Sequence, residues 1–368
     1  MARETSMADV GGRAQPSRCE FHHVRKVVLR NEPWDCKIGR DRNLYVAEVS
    51  RNRIIVLNKS TGRATESIAY RTESDCFRGP TSISINEQGS MFVADSGSGV
   101  IRVFQGEPLS CLSLGRLQPR KRRHIPTPGN FSFPHMVSTV DDMVWVCDPE
   151  SCCVQALYLN GTCKYLIHAN LTGMRVKVPE DGSFVRWRDL PMNLSQEVSE
   201  VILGPEDDFG LKVKPSSGSV SDDFNDFAIT QCTDSGNHVL RFFNATNGAE
   251  LGAAVGGWGR FVGELNYPTG LAMRSDGVLL VAESRNRRIQ AFEMTREGVR
   301  WLGSSCERYM TSVTNICWDD NMKDIWACDP KAKSVRNLRL SIQGVGGKSE
   351  SLKKQPKQPR KQQHQRHI

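Results

Sequence analysis

Short runs of alternating apolar and polar residues recur along the chain, and turn-forming residues bound each run. The segment Tyr267–Phe292, YPTGLAMRSDGVLLVAESRNRRIQAF, shows the pattern most clearly. It predicts a strand, a tight turn at Ser-Asp-Gly, a second strand, an acidic turn and a third strand. No long stretch has the 3.6-residue periodicity of an amphipathic helix, so we expect an all-β protein.

Five other segments repeat the second half of this unit. In each one an acidic residue follows a β-prone run, and a branched aliphatic residue comes six positions later. The acidic residues are Glu48, Asp95, Asp148, Asp234, Glu283 and Asp329. They lie 47, 53, 86, 49 and 46 residues apart. Intervals of about 40–50 residues are typical of the four-stranded blades of a β-propeller, which bury their apolar faces by stacking radially.

The repeated unit resembles the NHL repeat. The matching residues in the clearest copy are Pro268, Gly270, Asp276-Gly277, Val281–Ser284, Asn286, Arg288–Gln290 and Phe292. The resemblance extends from roughly Pro33 to Leu338 with one large gap, and it implies a six-bladed propeller. It implies little about activity, because one scaffold can carry unrelated functions.

The 86-residue interval between Asp148 and Asp234 leaves two architectures open. We expect an insertion at about 164–225 between the third and fourth recognisable blades. The alternative is a degenerate seventh blade that uses Gly210–Lys214 as a strand. We expect Val24–Arg30 to add a strand to the last blade and close the ring. The predicted organisation is a disordered segment 1–18, a propeller over 19–343 and a disordered basic tail over 344–368.

Two recurrent features have structural interpretations. The repeated acids occupy the same place in every copy, which indicates that their carboxylates accept backbone hydrogen bonds at turns. Cys147 and Cys328 stand where other copies have alanine, which indicates a small buried slot. We expect the twelve cysteines to be reduced thiols rather than disulfides or zinc ligands.

Candidate binding residues follow from the propeller prediction, since loops from all blades meet at one mouth of the central channel. The positions after the repeated prolines are candidates, and we single out Trp34, Asp35, His135 and Asn315. Thr81 and Thr269 occupy corresponding positions.

His135 also raises a catalytic alternative. Its Pro-His pair is similar to those of the peptidyl-hydroxyglycine amidating lyases, whose histidines bind a catalytic zinc. This chain has the pair once, and one histidine with Asp35 falls short of three protein ligands. The expectation is therefore no catalytic residue, no metal site and no cofactor, with a metal-dependent lyase or hydrolase as the third alternative.

Positive charge is concentrated in two segments. The formal net charge is +8, and the tail and the segment Arg116–His124 are rich in lysine and arginine. Such clusters favour polyanions. The candidate polyanion-binding residues are Arg120, Lys121, Arg122, Arg123, Lys353, Lys354, Lys357, Arg360 and Lys361. RNA binding through these segments is the second functional alternative, although the tail lacks aromatic residues for base stacking.

Two further tryptophans lie in predicted loops. Arg186, Trp187 and Arg188 form a triplet in the insertion that could anchor a partner, since Trp and Arg are common interface hot spots. The resemblance implies that Trp258 mainly shapes the turn before the fifth blade.

We expect a non-enzymatic interaction scaffold that binds a protein or peptide through one propeller face. Neither a signal peptide nor a transmembrane segment is predicted. The expected form is a monomer in the cytoplasm, with the nucleus as the alternative location.

Overall fold

The computed structural model describes residues 18–69, 76–106, 110–118, 127–140, 142–151, 153–168, 175–176, 185–186, 209–213, 229–244, 254–294, 298–305 and 307–343. The segment 1–17, the basic tail 344–368 and the basic residues Arg120, Lys121, Arg122 and Arg123 lie outside these ranges, as do Trp187 and Arg188.

Strands account for most of the described chain. The first thirteen are β1 (Arg18–Val28), β2 (Asp35–Ile38), β3 (Leu44–Glu48), β4 (Arg53–Leu57), β5 (Ala64–Ile68), β6 (Pro80–Ile85), β7 (Met91–Asp95), β8 (Val100–Gln105), β9 (Ser110–Leu114), β10 (Met136–Val140), β11 (Met143–Asp148), β12 (Cys153–Tyr158) and β13 (Cys163–His168). The others are β14 (Arg175–Val176), β15 (Val185–Arg186), β16 (Phe209–Val213), β17 (Ile229–Asp234), β18 (Val239–Asn244), β19 (Ala254–Gly256), β20 (Pro268–Met273), β21 (Val278–Glu283), β22 (Arg288–Met294), β23 (Gly298–Ser304), β24 (Ile316–Asp319), β25 (Asp324–Asp329) and β26 (Ser334–Gln343).

Helical structure among the described residues consists of short 3-10 turns. They span Val49–Arg51, Pro149–Ser151 and Glu307–Tyr309. None of the described helices has the length and apolar character that crossing a membrane requires.

Hydrogen bonds group the strands into six sheets, which we number along the chain. The first sheet has the order β2-β3-β4-β5, the second β6-β7-β8-β9 and the third β10-β11-β12-β13. The fourth has the order β16-β17-β18-β19-β14, the fifth β20-β21-β22-β23-β15 and the sixth β24-β25-β26-β1. Paired strands are antiparallel except β14 and β19, which are parallel. The short β14 and β15 each extend the outer edge of a sheet.

The sheets form a closed ring around their first strands. The first strand of each sheet contacts the first strand of the next sheet, and that of the sixth sheet contacts that of the first. These strands are β2, β6, β10, β16, β20 and β24. Apolar side chains fill the spaces between neighbouring sheets, as where Cys36 and Leu44 of the first sheet meet Trp326 and Val335 of the sixth. The fold is a β-propeller, as the repeats predict.

The N-terminal strand closes the ring, which confirms the expectation for Val24–Arg30. Strand β1 pairs with β26 from Arg18 opposite Gln343 to Val28 opposite Ser334. It begins earlier than predicted because Cys19 and Phe21 are also buried against the fifth and sixth sheets.

The long interval between the third and fourth repeats differs from both sequence interpretations. Strand β16 contains Gly210–Val213 and is the first strand of the fourth sheet, paired with β17. It is therefore neither part of a single insertion nor, among the described residues, a strand of a separate sheet. The extra residues fall in two places, before β16 and in the connection 214–228 between β16 and β17. The repeat spacing failed here because this connection replaces a tight hairpin turn.

Five of the repeated acids, Glu48, Asp95, Asp148, Glu283 and Asp329, are seen to be buried, and each accepts a hydrogen bond from the loop that precedes its sheet. Asp148 accepts backbone N–H bonds from Ser132, Phe133 and Ser151 at 2.6, 3.0 and 3.2 Å. Asp329 accepts them from Thr311 and Ser312 at 3.0 Å each. Burial raises the pKa of Asp148 even though these bonds oppose the shift. The prediction of carboxylates that accept backbone N–H bonds is confirmed at these two positions.

The small slot before the repeated acids is also confirmed. Cys147 and Cys328 are fully buried, as are Ala47, Ala94 and Ala282 at the matching positions. Thr233 at the matching position of the fourth copy is also fully buried, so each copy places a small side chain there.

Candidate binding site at the mouth of the channel

A cavity of about 620 Å³ opens at one end of the ring. Its walls are the loops before β2, β10, β20 and β24 and the turns after β21 and β25. In an antiparallel sheet these loops and turns lie at the same end, so the strand order itself brings them together. The cavity has the size of a small-molecule or peptide-anchor site.

Three side chains at the mouth come from the same position of three different sheets. The backbone N–H of Trp34 donates to the carbonyl of Ala47 at 2.9 Å, and the backbone N–H of His135 donates to the carbonyl of Cys147 at 2.8 Å. Thr314 donates in the same way to Cys328 at 3.2 Å. Each acceptor directly precedes a repeated acid, so the repeat places these three side chains in one ring.

The sequence prediction for the sixth copy is wrong by one residue. The sequence repeat predicts Asn315 as the counterpart of Trp34 and His135, whereas the hydrogen bonds place Thr314 there. Asn315 instead occupies the next position along the strand, which corresponds to Asp35 in the first sheet and to Met136 in the third. The sixth copy has no proline before its first strand, and the alignment had no marker at that point.

Threonine hydroxyls connect the loops around the mouth. Thr81 donates to the carbonyl of His135 at 2.8 Å, and Thr314 donates to that of Trp34 at 2.8 Å. Thr269 donates to the carbonyl of Val313 at 3.3 Å. Each bond joins one sheet to the next, so the rim of the cavity is cross-linked.

Asp35 is fully buried and its carboxylate is part of the framework. One oxygen accepts from the backbone N–H of Cys36 at 2.7 Å and from Lys37 at 3.0 Å. The other accepts from the hydroxyl of Ser82 at 3.0 Å and from the N–H of Ile83 at 2.7 Å. These bonds join the first and second sheets and occupy the lone pairs that a catalytic carboxylate would use.

His135 is packed between aromatic rings. It lies edge-on to Trp34 with ring centroids 6.2 Å apart, and it stacks on Phe133 at 6.0 Å. Asn315 lies across the channel, where its amide nitrogen is 3.8 Å from the sulfur of Met136. Its oxygen accepts the N–H of Ile316 at 2.9 Å. Trp34, His135 and Asn315 therefore line one cavity.

Another part of the cavity wall carries positive charge that was not predicted from the sequence. Among the described residues of its lining are Arg285, Arg287 and Lys331, with Glu32 as the one carboxylate. The guanidinium of Arg285 lies 4.6 Å from the ring centroid of Tyr267. Arg285 and Lys331 each follow a repeated acid by two residues, and this spacing could have identified them.

Tyr267 has an unusual backbone. Its φ is 57°, in the left-handed region that few residues other than glycine adopt. Its N–H donates to Nδ1 of His238 at 2.9 Å, and its carbonyl accepts the N–H of Ser284 at 3.1 Å. These two bonds hold the ring at the cavity wall against the backbone strain.

Of the remaining predicted residues, Arg186 alone lies within the described ranges. Arg186 belongs to β15 on the outer edge of the fifth sheet, where it pairs with Gly298. The basic residues Arg120–Arg123 and those of the tail fall outside the described chain. Within the described residues, no group of three or more His, Cys, Asp or Glu side chains is placed to hold a metal ion.

Comparison with known proteins supports the fold. No protein-family model matches the chain, and no curated protein matches it. Among solved structures, virginiamycin B lyase from Staphylococcus aureus aligns with a TM-score of 0.50 and 10% identity, over 88% of this chain and 99% of that one. A protein of unknown function from Bacteroides thetaiotaomicron aligns with a TM-score of 0.55 and 8% identity, over 88% of this chain and 76% of that one. Hydrazine synthase from Kuenenia stuttgartiensis aligns with a TM-score of 0.50 and 10% identity, over 86% and 97%. At these identities the likeness concerns the propeller fold alone.

Proposed function

We propose that this chain is a non-enzymatic interaction scaffold, a six-bladed NHL-like propeller whose channel mouth binds a peptide segment of a partner protein. The six sheets and the repeat residues quoted above support the assignment to NHL-like blades. The cavity supports the binding role, because it combines three aromatic rings with hydroxyl groups and cations in a rigid rim.

The composition of the cavity wall carries the proposal. Trp34, His135 and Tyr267 offer apolar area, and rigid aromatic residues lose little conformational entropy on binding. The hydroxyls of Ser312 and Thr314 offer hydrogen bonds to a peptide backbone. Arg285 and Lys331 favour a ligand that carries negative charge.

Two other functions have less support. The metal-dependent lyase or hydrolase would require the carboxylate of Asp35, which is already fully hydrogen-bonded between two sheets. RNA binding through the basic segments depends on residues outside the described chain. We therefore keep RNA as an outcome of the test.

A mouth-filling substitution tests the proposal. Peptides selected from a random displayed library against the full chain would be measured by fluorescence anisotropy with the parent and with Ser312→Trp. The matched control is Met322→Trp, because Met322 is 57% exposed in the turn between β24 and β25 at the other end of the ring. We expect at least tenfold weaker binding for Ser312→Trp and parental affinity for the control.

Two results would contradict the proposal. Equal affinity of the parent and Ser312→Trp would place peptide binding elsewhere. Failure to select any peptide, together with salt-sensitive binding of a labelled oligouridine, would favour the RNA alternative. A variant with Arg120–Arg123 changed to glutamate would then locate the RNA contacts.

A further inference from the structure

Two large aromatic side chains lie exposed on one loop. Trp258 and Phe261 are 70% and 64% exposed in the connection between β19 and β20, of which we call residues 257–266 the aromatic loop. The apolar surface of Trp258 does not pack into the turn, contrary to the implication of the resemblance. Neighbouring exposed aromatic residues of this kind are typical of interaction sites.

A buried polar cluster holds the aromatic loop rigid. Arg288 donates to the carbonyls of Arg260, Phe261 and Glu264 at 2.7, 3.1 and 2.9 Å. Gln290 donates to the same carbonyl of Glu264 at 2.7 Å. The loop backbone therefore receives four hydrogen bonds from side chains of β22.

The cluster is held together by the repeated acid of the fifth sheet. Glu283 is fully buried and accepts from Arg288 at 2.6 Å, from Gln290 at 2.8 Å and from Asn286 at 2.7 Å. Burial raises the pKa of Glu283, while the charge of Arg288 opposes the shift. Removing two charges from water is costly. Here the buried pair fixes a loop whose aromatic side chains face solvent.

Within the described part of the loop and of the turn that follows β21, the charged side chains classed as exposed are all arginines. Arg260 on the loop and Arg285 and Arg287 on the next turn are exposed. The carboxylate of Glu264 turns back to accept the N–H of Phe261 at 3.0 Å. Asn286, between the two arginines, donates to the carbonyl of Gly259 at 2.9 Å. This bond makes the loop and the turn one continuous surface.

We propose that the aromatic loop and the Arg285–Arg287 turn form a docking surface for an acidic peptide segment that carries a large apolar side chain. The apolar side chain contacts Trp258 and Phe261, and carboxylates pair with Arg260, Arg285 and Arg287. Arg285 also lines the channel mouth, so the segment continues from the mouth outward over the fifth sheet. This inference rests on the proposed function and specifies the chemistry of its partner.

Preorganisation argues for a specific ligand. The rigid loop presents both aromatic rings without further ordering, which lowers the entropic cost of binding. The three arginines give charge complementarity to an acidic segment, and they predict an association rate that falls as salt increases. Arginine also pairs with carboxylates through two parallel hydrogen bonds, which orients the segment.

The peptides selected against the full chain provide the probe. We expect them to be enriched in Asp and Glu near an aromatic or large aliphatic residue. Affinity should fall at least tenfold in Trp258→Ala and in Phe261→Ala, and about as much in Arg260→Glu. Met322→Ala is the matched control, since it removes another exposed apolar side chain, 57% exposed, at the other end of the ring. We expect parental affinity and parental thermal stability from it.

The pattern of losses separates the two proposals. Peptides that lose affinity in Ser312→Trp but keep it in the loop variants would overturn this inference and leave the mouth as the binding site. Peptides without acidic enrichment would overturn it also, and peptides insensitive to all of these variants would overturn both proposals. Preferential binding of oligouridine at the loop would assign it to RNA and overturn the acidic-peptide partner.

Discussion

Arginines paired with the repeated acids differ in their burial and in the number of hydrogen bonds that they make. Arg53 and Arg288 each follow an acid by five residues and contact it at 2.6 Å. The side chain of Arg53 is 33% exposed and that of Arg288 is 8% exposed. Arg288 also anchors the aromatic loop, whereas the hydrogen bond identified for Arg53 goes to Glu48 alone. Equivalent positions in a repeat therefore carry unequal energetic weight.

We expect Arg288→Ala to lower the free energy of unfolding by about 3–5 kcal/mol, because it leaves Glu283 as an unpaired buried charge. Arg53→Ala should cost about 1–2 kcal/mol, since water can take the place of the partly exposed Arg53 side chain beside Glu48. Urea unfolding of both variants measures the difference. Equal losses would show that the buried pair is no more important than the half-exposed one.

Gly270 sets the approach of the fifth and sixth sheets at the mouth. A Cβ atom there would lie 2.7 Å from Cα of Asn315 and 3.0 Å from the carbonyl oxygen of Thr314. Both neighbours are backbone atoms, so they cannot rotate away.

We predict that Gly270→Ala lowers the free energy of unfolding by about 1–3 kcal/mol through overpacking. It should also weaken peptide binding at the mouth, because Asn315 and Thr314 are displaced. Thr269→Ser keeps the rim hydroxyl and should change stability by less than about 0.5 kcal/mol. Thermal unfolding and anisotropy measure both effects, and a Gly270→Ala variant with parental values would contradict the clash.

At the scale of elements, strand β1 is distant in sequence from the strand that it completes. Cys19 on β1 is 7% exposed, and desolvation by burial raises its pKa to about 12. A Cβ atom at Gly303 would lie 2.6 Å from its sulfur, so β23 leaves space for this thiol. The reactivity of Cys19 therefore reports whether β1 stays in place.

We expect iodoacetamide at pH 8 to modify Cys19 at least 100-fold more slowly than the half-buried Cys111. Ionisation alone accounts for roughly 1,000-fold when a pKa rises by three units, because the thiolate is the reactive form. Phe21→Ala should accelerate labelling of Cys19 by loosening β1. Peptide mass spectrometry gives the rates, and equal rates for Cys19 and Cys111 would show that β1 is detached.

The elements were predictable where the repeat is regular. Strands β20, β21 and β22 match the predicted unit because Gly277 and the acidic turn mark their ends. Strand β16 was missed as part of the fourth sheet, since the connection 214–228 removes the expected spacing to Asp234. Trp34 and His135 were found through their prolines. Tyr267 was not, because its place at the mouth depends on how turns of different sheets converge, and Arg285 was overlooked although it follows Glu283 by two residues.

For the whole molecule, thiol and phenol groups with raised pKa values make the protein less stable at alkaline pH. Burial raises the pKa of Cys19, and the pKa of Tyr45 rises to about 12 for the same reason. Desolvation by burial also raises the pKa of Cys328. In the unfolded chain a thiol ionises near pH 9, whereas in the folded chain it stays protonated. The folded state therefore loses relative stability as pH rises through this interval.

We predict that the free energy of unfolding is steady between about pH 7.5 and about pH 8.5 and decreases above about pH 9. Cys19 contributes about 1.4 kcal/mol per pH unit in that interval. The stability difference between the parent and Cys19→Ala should therefore shrink by this slope from pH 9 to pH 10.5. Urea titrations at four pH values measure it, and a constant difference would show that Cys19 ionises equally in both states.

Closure of the ring by β1 has a consequence for biosynthesis. Val28 pairs with Ser334, so about 300 residues must be translated before β1 meets its partner strand. At roughly 5–20 residues per second, that takes roughly 15 to 60 s on the ribosome. During this time β1 is an unpaired strand that offers its hydrogen-bonding edge to other chains. Newly made molecules should need a chaperone in that interval, and the finished ring should not.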